Sequence, residues 1–285
     1  MKSFSSCSEA IQECLRSQKF TVAYLCSEEK TMDIHIHDCF EIYYSISGGR
    51  QFLIGDQCYD VAPGDLFVIN NYESHYLSWV ESRHERIVIS IAPEYLSTCS
   101  TETTDLKGCF TLRSPKYSHR LRLTQEERDQ LLYLTHKITS SQGFGADVIE
   151  GSAFLELMVL VNRKYLSQEG GLEKQESYQH NEVVAKVIDY MNSRITEKLT
   201  IGEVASHFYL SEGYLSRLFK SETGTTINKY LTARRISIAK AKLTAGCSVS
   251  DACEQSGFND YTNFVQAFTK MVGITPKKYG KMSNR

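Results

Sequence analysis

The chain has 285 residues, 41 % of them hydrophobic, with 32 basic and 34 acidic side chains and a net charge of −2, a composition that suits two globular domains, each burying its own core. No apolar run reaches membrane-spanning length, and the N-terminus lacks a basic start followed by an apolar stretch, so neither an anchor nor a secretory leader is expected. The nine cysteines are an odd number, scattered and without a C-x-x-C pair, which argues against a disulfide framework and for a reducing cytoplasm.

Between about residues 20 and 91 lie short segments rich in aromatic and β-branched side chains: FTVAYLC, FEIYYSI, RQFLIG, DLFVIN and RIVISI. Turn signals (SGGR, APGD, NNYES) separate them, and several short strands at that spacing predict a barrel or sandwich. From Thr124 the period becomes helical in TQEERDQLLYLTHKITSSQ and ADVIEGSAFLELMVLVNRKYLSQ, with Thr124 and Glu127 placed for a capping box. The second of these helices is apolar around much of its circumference, which predicts packing on its own domain and on another helix. Residues 167–181, SQEGGLEKQESYQHN, are polar enough for a linker. The expected division is residues 1–166, a linker over 167–181, and a second unit over 182–285. Residues 1–180 hold 17 basic against 25 acidic side chains, net −8, whereas residues 181–285 hold 15 against 9, net +6. A basic third on an acidic body suggests a module that faces a polyanion.

Only helical signals follow the linker. In LTIGEVASHFYLSEGYLSRLFKSETGTT, Thr200 and Glu203 form a capping-box pattern, a turn follows at residues 208–210, and Ser211 can cap a second helix. Leu215, Leu218 and Phe219 would face inward, leaving Gly213, Ser216 and Arg217 outward. Two short helices with a tight turn fit a helix-turn-helix, whose second helix enters the major groove. The unit recurs in CSVSDACEQSGFNDYTNFVQAFTKMVG, where Phe264 and Phe268 take the inward places and Tyr261, Thr262, Asn263 and Gln266 the outer face. Between the units, INKYLTARRISIAKAKL reads as one helix on the order of 25 Å long, able to space two recognition helices about one DNA turn, roughly 34 Å, apart.

The stretch HIHDCFEIYYSISG, residues 35–48, carries the chemistry of the first unit. If residues 35–43 form one strand, His35, His37, Cys39, Glu41 and Tyr43 share a face. Such a polar face is costly to bury unless satisfied, and in a small barrel it usually lines a ligand cavity. The alternative turns it to solvent and puts Ile36, Phe40 and Ile42 inside. His75 and Tyr76, beyond a turn, would close the mouth. Trp79 offers a stacking surface, and Arg86 on the last barrel strand a donor fork.

These residues resemble two known patterns. The last third resembles the AraC/XylS family of transcription regulators over nearly its whole DNA-binding domain, through ASHFYLS, YLSRLFK, Tyr230–Leu231, Arg235, Ile236, Ala239, Leu243, GFND, Phe264, Phe268 and GITPKKY. The resemblance implies that both recognition helices read DNA, through Gly213, Ser216 and Arg217 with Ser211 at their head, then through Tyr261, Thr262, Asn263 and Gln266. The chain departs from the pattern at Asn263, where an aromatic is common, at Gln266, where a basic residue is common, and at Gly280, where Arg usually follows the Tyr. Residues 35–48 resemble the first motif of cupin barrels; of the second motif Gly64 and His75 are present, while Asn70, Tyr72 and Trp79 replace Pro, Gly and Asn. Cupin-like sensors of this kind imply a small effector, and a dimer through the helix after the barrel, here at Phe154, Leu155, Met158 and Val161.

The resulting expectation is an α+β multidomain chain: a cupin-like β-barrel, dimerisation helices, and an all-α DNA-binding domain with two helix-turn-helix motifs. It describes a cytoplasmic, homodimeric regulator, an activator by family habit, with double-stranded DNA, a small effector such as a carbohydrate, and RNA polymerase as partners, and with no membrane, cofactor or catalysis. The effector set is His35, His37, Glu41, Tyr43, His75, Tyr76, Trp79 and Arg86. The competing reading brings His35, His37, Glu41 and His75 onto iron, manganese or zinc, as a metal sensor or an enzyme.

Overall fold

The computed structural model describes residues 4–27, 34–49, 51–55, 57–71, 73–78, 83–112, 118–170, 182–223 and 225–283. Helix α1 (Cys7–Ser17), capped by the Ser6 hydroxyl, precedes strands β1 (Phe20–Ser27), β2 (Phe40–Ser45), β3 (Gln51–Ile54), β4 (Gln57–Asp60), β5 (Asp65–Ile69), β6 (His75–Ser78) and β7 (His84–Ile91). Short helices α2 (Pro93–Cys99) and α3 (Gly108–Thr111) lead to β8 (Arg120–Arg122) and the long helices α4 (Gln125–Ser140) and α5 (Ala146–Leu166). The strands pair antiparallel in two sheets, ordered β1-β7-β2-β5-β8 and β4-β3-β6.

The alternation of β2 sets the layers. Phe40, Ile42 and Tyr44 face outward into a cluster with Val68, Ile89, Leu134, Phe154 and Met158, beneath the helices. Tyr43 faces the other way, among Phe52, Phe67, Leu77 and Val88 between the sheets. A strand covered on both faces reads as a nearly continuous apolar run. The polar face is therefore interior: Glu41 and Tyr43 are each 2 % exposed, and the solvent-facing alternative is excluded.

α4 starts with the expected capping box, Thr124 Oγ1 accepting from the Glu127 N–H and Glu127 accepting from the Thr124 N–H. α5 corrects the expected dimer surface. Phe154, Met158 and Val161 are completely buried in the N-terminal core, Phe154 stacked on Phe20 at 4.0 Å, because positions three and four apart share the face that covers the sheet. Only Leu155 of the four is exposed, together with Val148 and Ile149 on α5 and Leu132 and Tyr133 on α4. After α5, Ser167–Gly170 forms a 3₁₀ turn, and Gln168 accepts from the Ser118 N–H and donates to the Arg120 carbonyl. The first residues of the expected linker thus pack on β8, while residues 171–181 lie outside the described residues.

The C-terminal unit is helical: α6 (Glu182–Ser193), α7 (Ile201–His207), α8 (Glu212–Thr223), α9 (Ile227–Thr244), α10 (Val249–Gln255), α11 (Tyr261–Val272) and α12 (Pro276–Ser283). Thr200 and Glu203 close a capping box on α7, and Ser248 and Asp260 cap α10 and α11. The pairs α7–α8 and α10–α11 are the two helix-turn-helix units, joined by the 18 residues of α9. At Gly257, with φ +85°, a Cβ would sit 2.6 Å from the Ile195 carbonyl oxygen, so the turn of the second unit passes the segment after α6 only as glycine. Arg235 ties the same segment to α9 by donating to the carbonyls of Ile195 and Glu197.

The two units touch. Ile34, Leu53 and Tyr76 share an apolar cluster with Val184, Leu215 and Tyr230, and Ile36 joins Ile236, Phe268 and Tyr279. Among the described residues no helix is long and apolar enough to cross a membrane.

Candidate functional site

The expected strand over residues 35–43 is broken at Asp38 and Cys39, yet the bend keeps the polar groups together. His35 forms an isolated antiparallel bridge with His75, each N–H donating to the other's carbonyl at 3.0 and 2.9 Å. One ring nitrogen from each of His35, His37 and His75 then lies within 4.8 Å of the others. Glu41 enters from β2, with Oε2 2.9 Å from His37 Nε2 and 3.8 Å from His75 Nε2.

The hydrogen bonds fix the proton positions. His37 Nδ1 meets the Cys39 carbonyl at 2.9 Å, and Nε2 meets the Glu41 carboxylate. Both partners accept, so both ring nitrogens must donate and His37 is an imidazolium. Burial opposes that charge, but the Cys39 sulfur and the Glu41 carboxylate outweigh it and hold the pKa well above the usual histidine value. Burial likewise opposes ionisation of Glu41, and the histidines around it prevail, drawing its pKa down to about 2. His75 differs: Nδ1 donates to the Glu73 carbonyl at 3.1 Å, which turns the Nε2 lone pair into the cluster, where it has no hydrogen-bond partner. Burial and the neighbouring His35 push the His75 pKa well below the usual value. The site is a buried Glu⁻–HisH⁺ pair beside a neutral imidazole.

Among the described residues the space between the sheets is largely filled. Tyr43, Phe52 and Phe67 pack edge to face and fill the space between the sheets, leaving a void of about 10 Å³ next to His35, Glu41, His75 and Arg86. That is no more than one water requires. The usable space lies at the barrel mouth, a cleft of about 760 Å³ between α1, residues 35–38 and residues 270–273 at the end of α11. His35 and His37 form part of its floor, with Ile11 and Leu15 beside them.

The other predicted groups scatter. Tyr43 is interior, and its hydroxyl pairs with His84 Nε2 at 2.6 Å. Arg86 is buried beside the void. Tyr76 is a correction: it neighbours His75 on one strand, successive side chains point to opposite faces, and it packs against the C-terminal unit instead. Trp79 lies outside the described residues. Sequence reasoning overlooked His84, which lies on a strand remote from the motif, and Asp38, whose partners come from the far end of the chain.

In the helix-turn-helix units the outward set is accessible. Gly213 and Arg217 are exposed and Ser216 half-buried on α8, and Tyr261, Thr262, Asn263 and Gln266 are exposed on α11. Leu215, Phe219, Phe264 and Phe268 form the inner faces. Ser211 caps α8, accepting from the Tyr214 N–H at 3.3 Å. The turn before it holds Tyr209, almost fully exposed at φ +56°.

Comparison with known proteins gives a consistent picture. Residues 18–158 match the family described as AraC-like ligand binding domain, and residues 204–282 match that described as Helix-turn-helix domain. The HTH-type transcriptional activator RhaR of Cronobacter sakazakii is 25 % identical over 251 residues, covering 85 % of this chain and 84 % of its own. The HTH-type transcriptional regulator YfiF of Bacillus subtilis is 22 % identical over 247 residues, 85 % of this chain and 77 % of its own. Among solved structures, unsaturated fatty acid bound ToxT of Vibrio cholerae aligns with 93 % of this chain and 95 % of its own, at 14 % identity and a TM-score of 0.38.

Proposed function

The chain belongs to the AraC family of DNA-binding transcription regulators, which are not enzymes, and from that premise we propose a homodimeric activator controlled by a small hydroxylated effector that seats in the cleft at the barrel mouth. The single observation that carries the effector part is the 760 Å³ cleft, whose floor contains His35 and His37 and whose far wall is the end of the second recognition helix. Its volume suits a small organic ligand. The His35 ring on the cleft wall can meet a ligand hydroxyl, as on a sugar, and Ile11 and Leu15 would cover an apolar face. The activator named among the relatives supports activation, and an activator of this reading would have RNA polymerase as its further partner.

On this reading residues 1–166 sense, residues 182–285 bind DNA, and the units are linked by 167–181. The exposed apolar residues of α4 and α5, Tyr133, Val148 and Leu155 among them, form the dimer contact. Arg217, the one guanidinium on the outer face of α8, pairs bidentately with a guanine. Selection of bound fragments from genomic DNA tests the DNA part, with two half-sites about 10 base pairs apart expected. Arg217→Ala then weakens the selected site by about 1–3 kcal/mol and random duplex much less; equal losses would refute base reading. A thermal-shift screen of sugars and polyols tests the effector part. A ligand at a hundredfold excess over its Kd adds roughly 2.7 kcal/mol, and His35→Ala, at the cleft floor, abolishes that gain.

A second reading is favoured by the His75 Nε2 lone pair, buried and without a hydrogen bond. Metal-binding histidines are commonly fixed by such a Nδ1–H to carbonyl bond, and with His35, His37 and Glu41 the donors suit a divalent transition metal. His37 would give up its Nε2 proton on binding. Near-stoichiometric metal in freshly purified tag-free protein, lost in His75→Ala, would establish this reading; metal-free native protein that binds no added zinc would end it.

A further inference from the structure

The two recognition helices repeat one frame. Each begins on a side-chain cap, Ser211 accepting from the Tyr214 N–H on α8 and Asp260 from the Asn263 N–H on α11. The inward residues follow at the same spacing, Leu215 and Phe219 on α8, Phe264 and Phe268 on α11, all completely buried. From the cap to the second inward residue, exposed, half-buried and buried positions come in the same order in both helices. The frame therefore aligns Gly213 with Thr262, Ser216 with Val265, Arg217 with Gln266 and Lys220 with Thr269. Positions at this spacing share one outward stripe; Tyr261 and Asn263 align with Glu212 and Tyr214 beside it.

The stripe carries different chemistry on the two helices. On α8 it holds two cations, Arg217 and Lys220. A Cβ at Gly213 would have Arg217 Nη1 at 3.5 Å, so the guanidinium lies back over the first turn, where glycine leaves room for it. On α11 the same four positions hold no charge. Thr262 stands in the place of the glycine, and Gln266, one turn on, in that of the arginine. Thr269 replaces Lys220, and its hydroxyl is used within the helix, donating to the Val265 carbonyl at 2.7 Å. Val265 is half-buried. Thr262 and Gln266 are left to address the base pairs.

We propose that the second recognition helix reads A·T pairs, with Gln266 on adenine and the Thr262 methyl on thymine, so that the operator joins a guanine-led half-site to an adenine-led one. The discrimination follows from donor and acceptor order. A guanidinium offers two donors, which match the N7 and O6 acceptors of guanine. A carboxamide offers one donor and one acceptor, which match N7 and the N6 amino group of adenine. Set against guanine, its oxygen would face O6, acceptor to acceptor. Thr262 adds a methyl one turn toward the head of the helix, and thymine is the base that shows a methyl group in the major groove.

The A·T reading rests on the base reading by Arg217 proposed above, and one experiment separates the two. Sequences are enriched from a randomised duplex library with the full chain, with Gln266→Arg and with Arg217→Gln. Both positions are exposed, and the exchanged residues have similar helix propensity, so the fold is kept. The native chain enriches guanine in one half-site and adenine in the other, about 10 base pairs away. Gln266→Arg turns that adenine into guanine and leaves the first half-site alone, and Arg217→Gln makes the reverse change in the first. In anisotropy titrations of the selected duplex, exchanging that A·T pair for G·C weakens the native chain about 5- to 150-fold. Gln266→Ala abolishes this discrimination without changing the slope of log affinity against log salt, because a neutral contact releases no counterion. A second half-site that is guanine-led or without preference, or an adenine that Gln266→Arg does not move, overturns the A·T reading while the first half-site stands. A native chain that enriches no sequence removes the base reading itself, and the A·T reading with it.

Discussion

His84 joins two parts of the barrel through both ring nitrogens. Nδ1 donates to the Gly48 carbonyl at 3.0 Å, and Nε2 accepts from the Tyr43 hydroxyl. The second bond needs the neutral ring, and burial together with the charge of Arg86 pushes the pKa down to about 4. The unfolded chain takes up a proton near pH 6.5 that the folded chain refuses. The stabilisation is therefore complete above about pH 6.5 and is lost as pH falls toward 4, amounting to about 3 kcal/mol at the acid end. His75, shifted downward as well, adds in the same direction, and Glu41, with its pKa near 2, adds a further loss as pH falls from about 4.5 toward 2. Urea titrations at a series of pH values should show this decline, and His84→Gln, which can keep both bonds without titrating, should flatten it. An unchanged slope in that variant would contradict the assignment. Period-two alternation made His37 and Glu41 legible as one face in the sequence. It could not reveal Asp38 as a contact, because a charged residue at a bend has no pattern until its partner is placed.

At the level of elements, capping was the most legible feature because it is local: Thr124 with Glu127 and Thr200 with Glu203 carry both partners within one turn. The orientation of α5 was not legible, since a helix apolar around most of its circumference does not say which side meets its own sheet. The structure gives that side to Phe154 and Met158, and two different outcomes follow. Phe154→Ala removes the ring stacked on Phe20 and costs about 3–5 kcal/mol in chemical denaturation. Leu155→Glu combined with Tyr133→Glu places charge on the exposed face instead. It should leave the melting temperature near native and yield monomers by light scattering at low micromolar concentration; a persisting dimer would place the contact elsewhere.

For the molecule as a whole, the charge asymmetry announced a DNA-facing third, but not that this third rests on the sensor. That contact joins residues far apart in the chain, and periodicity is silent about it. Its energetic consequence concerns cooperativity. Ile34, Leu53 and Tyr76 belong to the same apolar cluster as Leu215 and Tyr230, so neither unit keeps its core intact when the other unfolds. Calorimetry of the native chain should show one transition, and Lys240→Met, which removes the α9 ammonium that meets Asp38 and donates to the carbonyls of His37 and Asn71, should split or broaden it. Two resolved transitions in the native protein would mean that the contact contributes little.

The packing of Ile34 and Ile36 also imposes an order on synthesis. The barrel can close once β8 has been made, yet Ile34 finds its cover only when α6 through α9 arrive, and Ile36 only with α9 through α12. At roughly 5–20 residues per second that interval lasts on the order of 10–30 s. Until then a finished sensor displays the uncovered side chains of Ile34 and Ile36, a surface of the kind that chaperones engage and that promotes aggregation. A ribosome stalled in that window should therefore hold a nascent chain that binds a hydrophobic dye, and Ile34→Thr with Ile36→Thr should lower that signal.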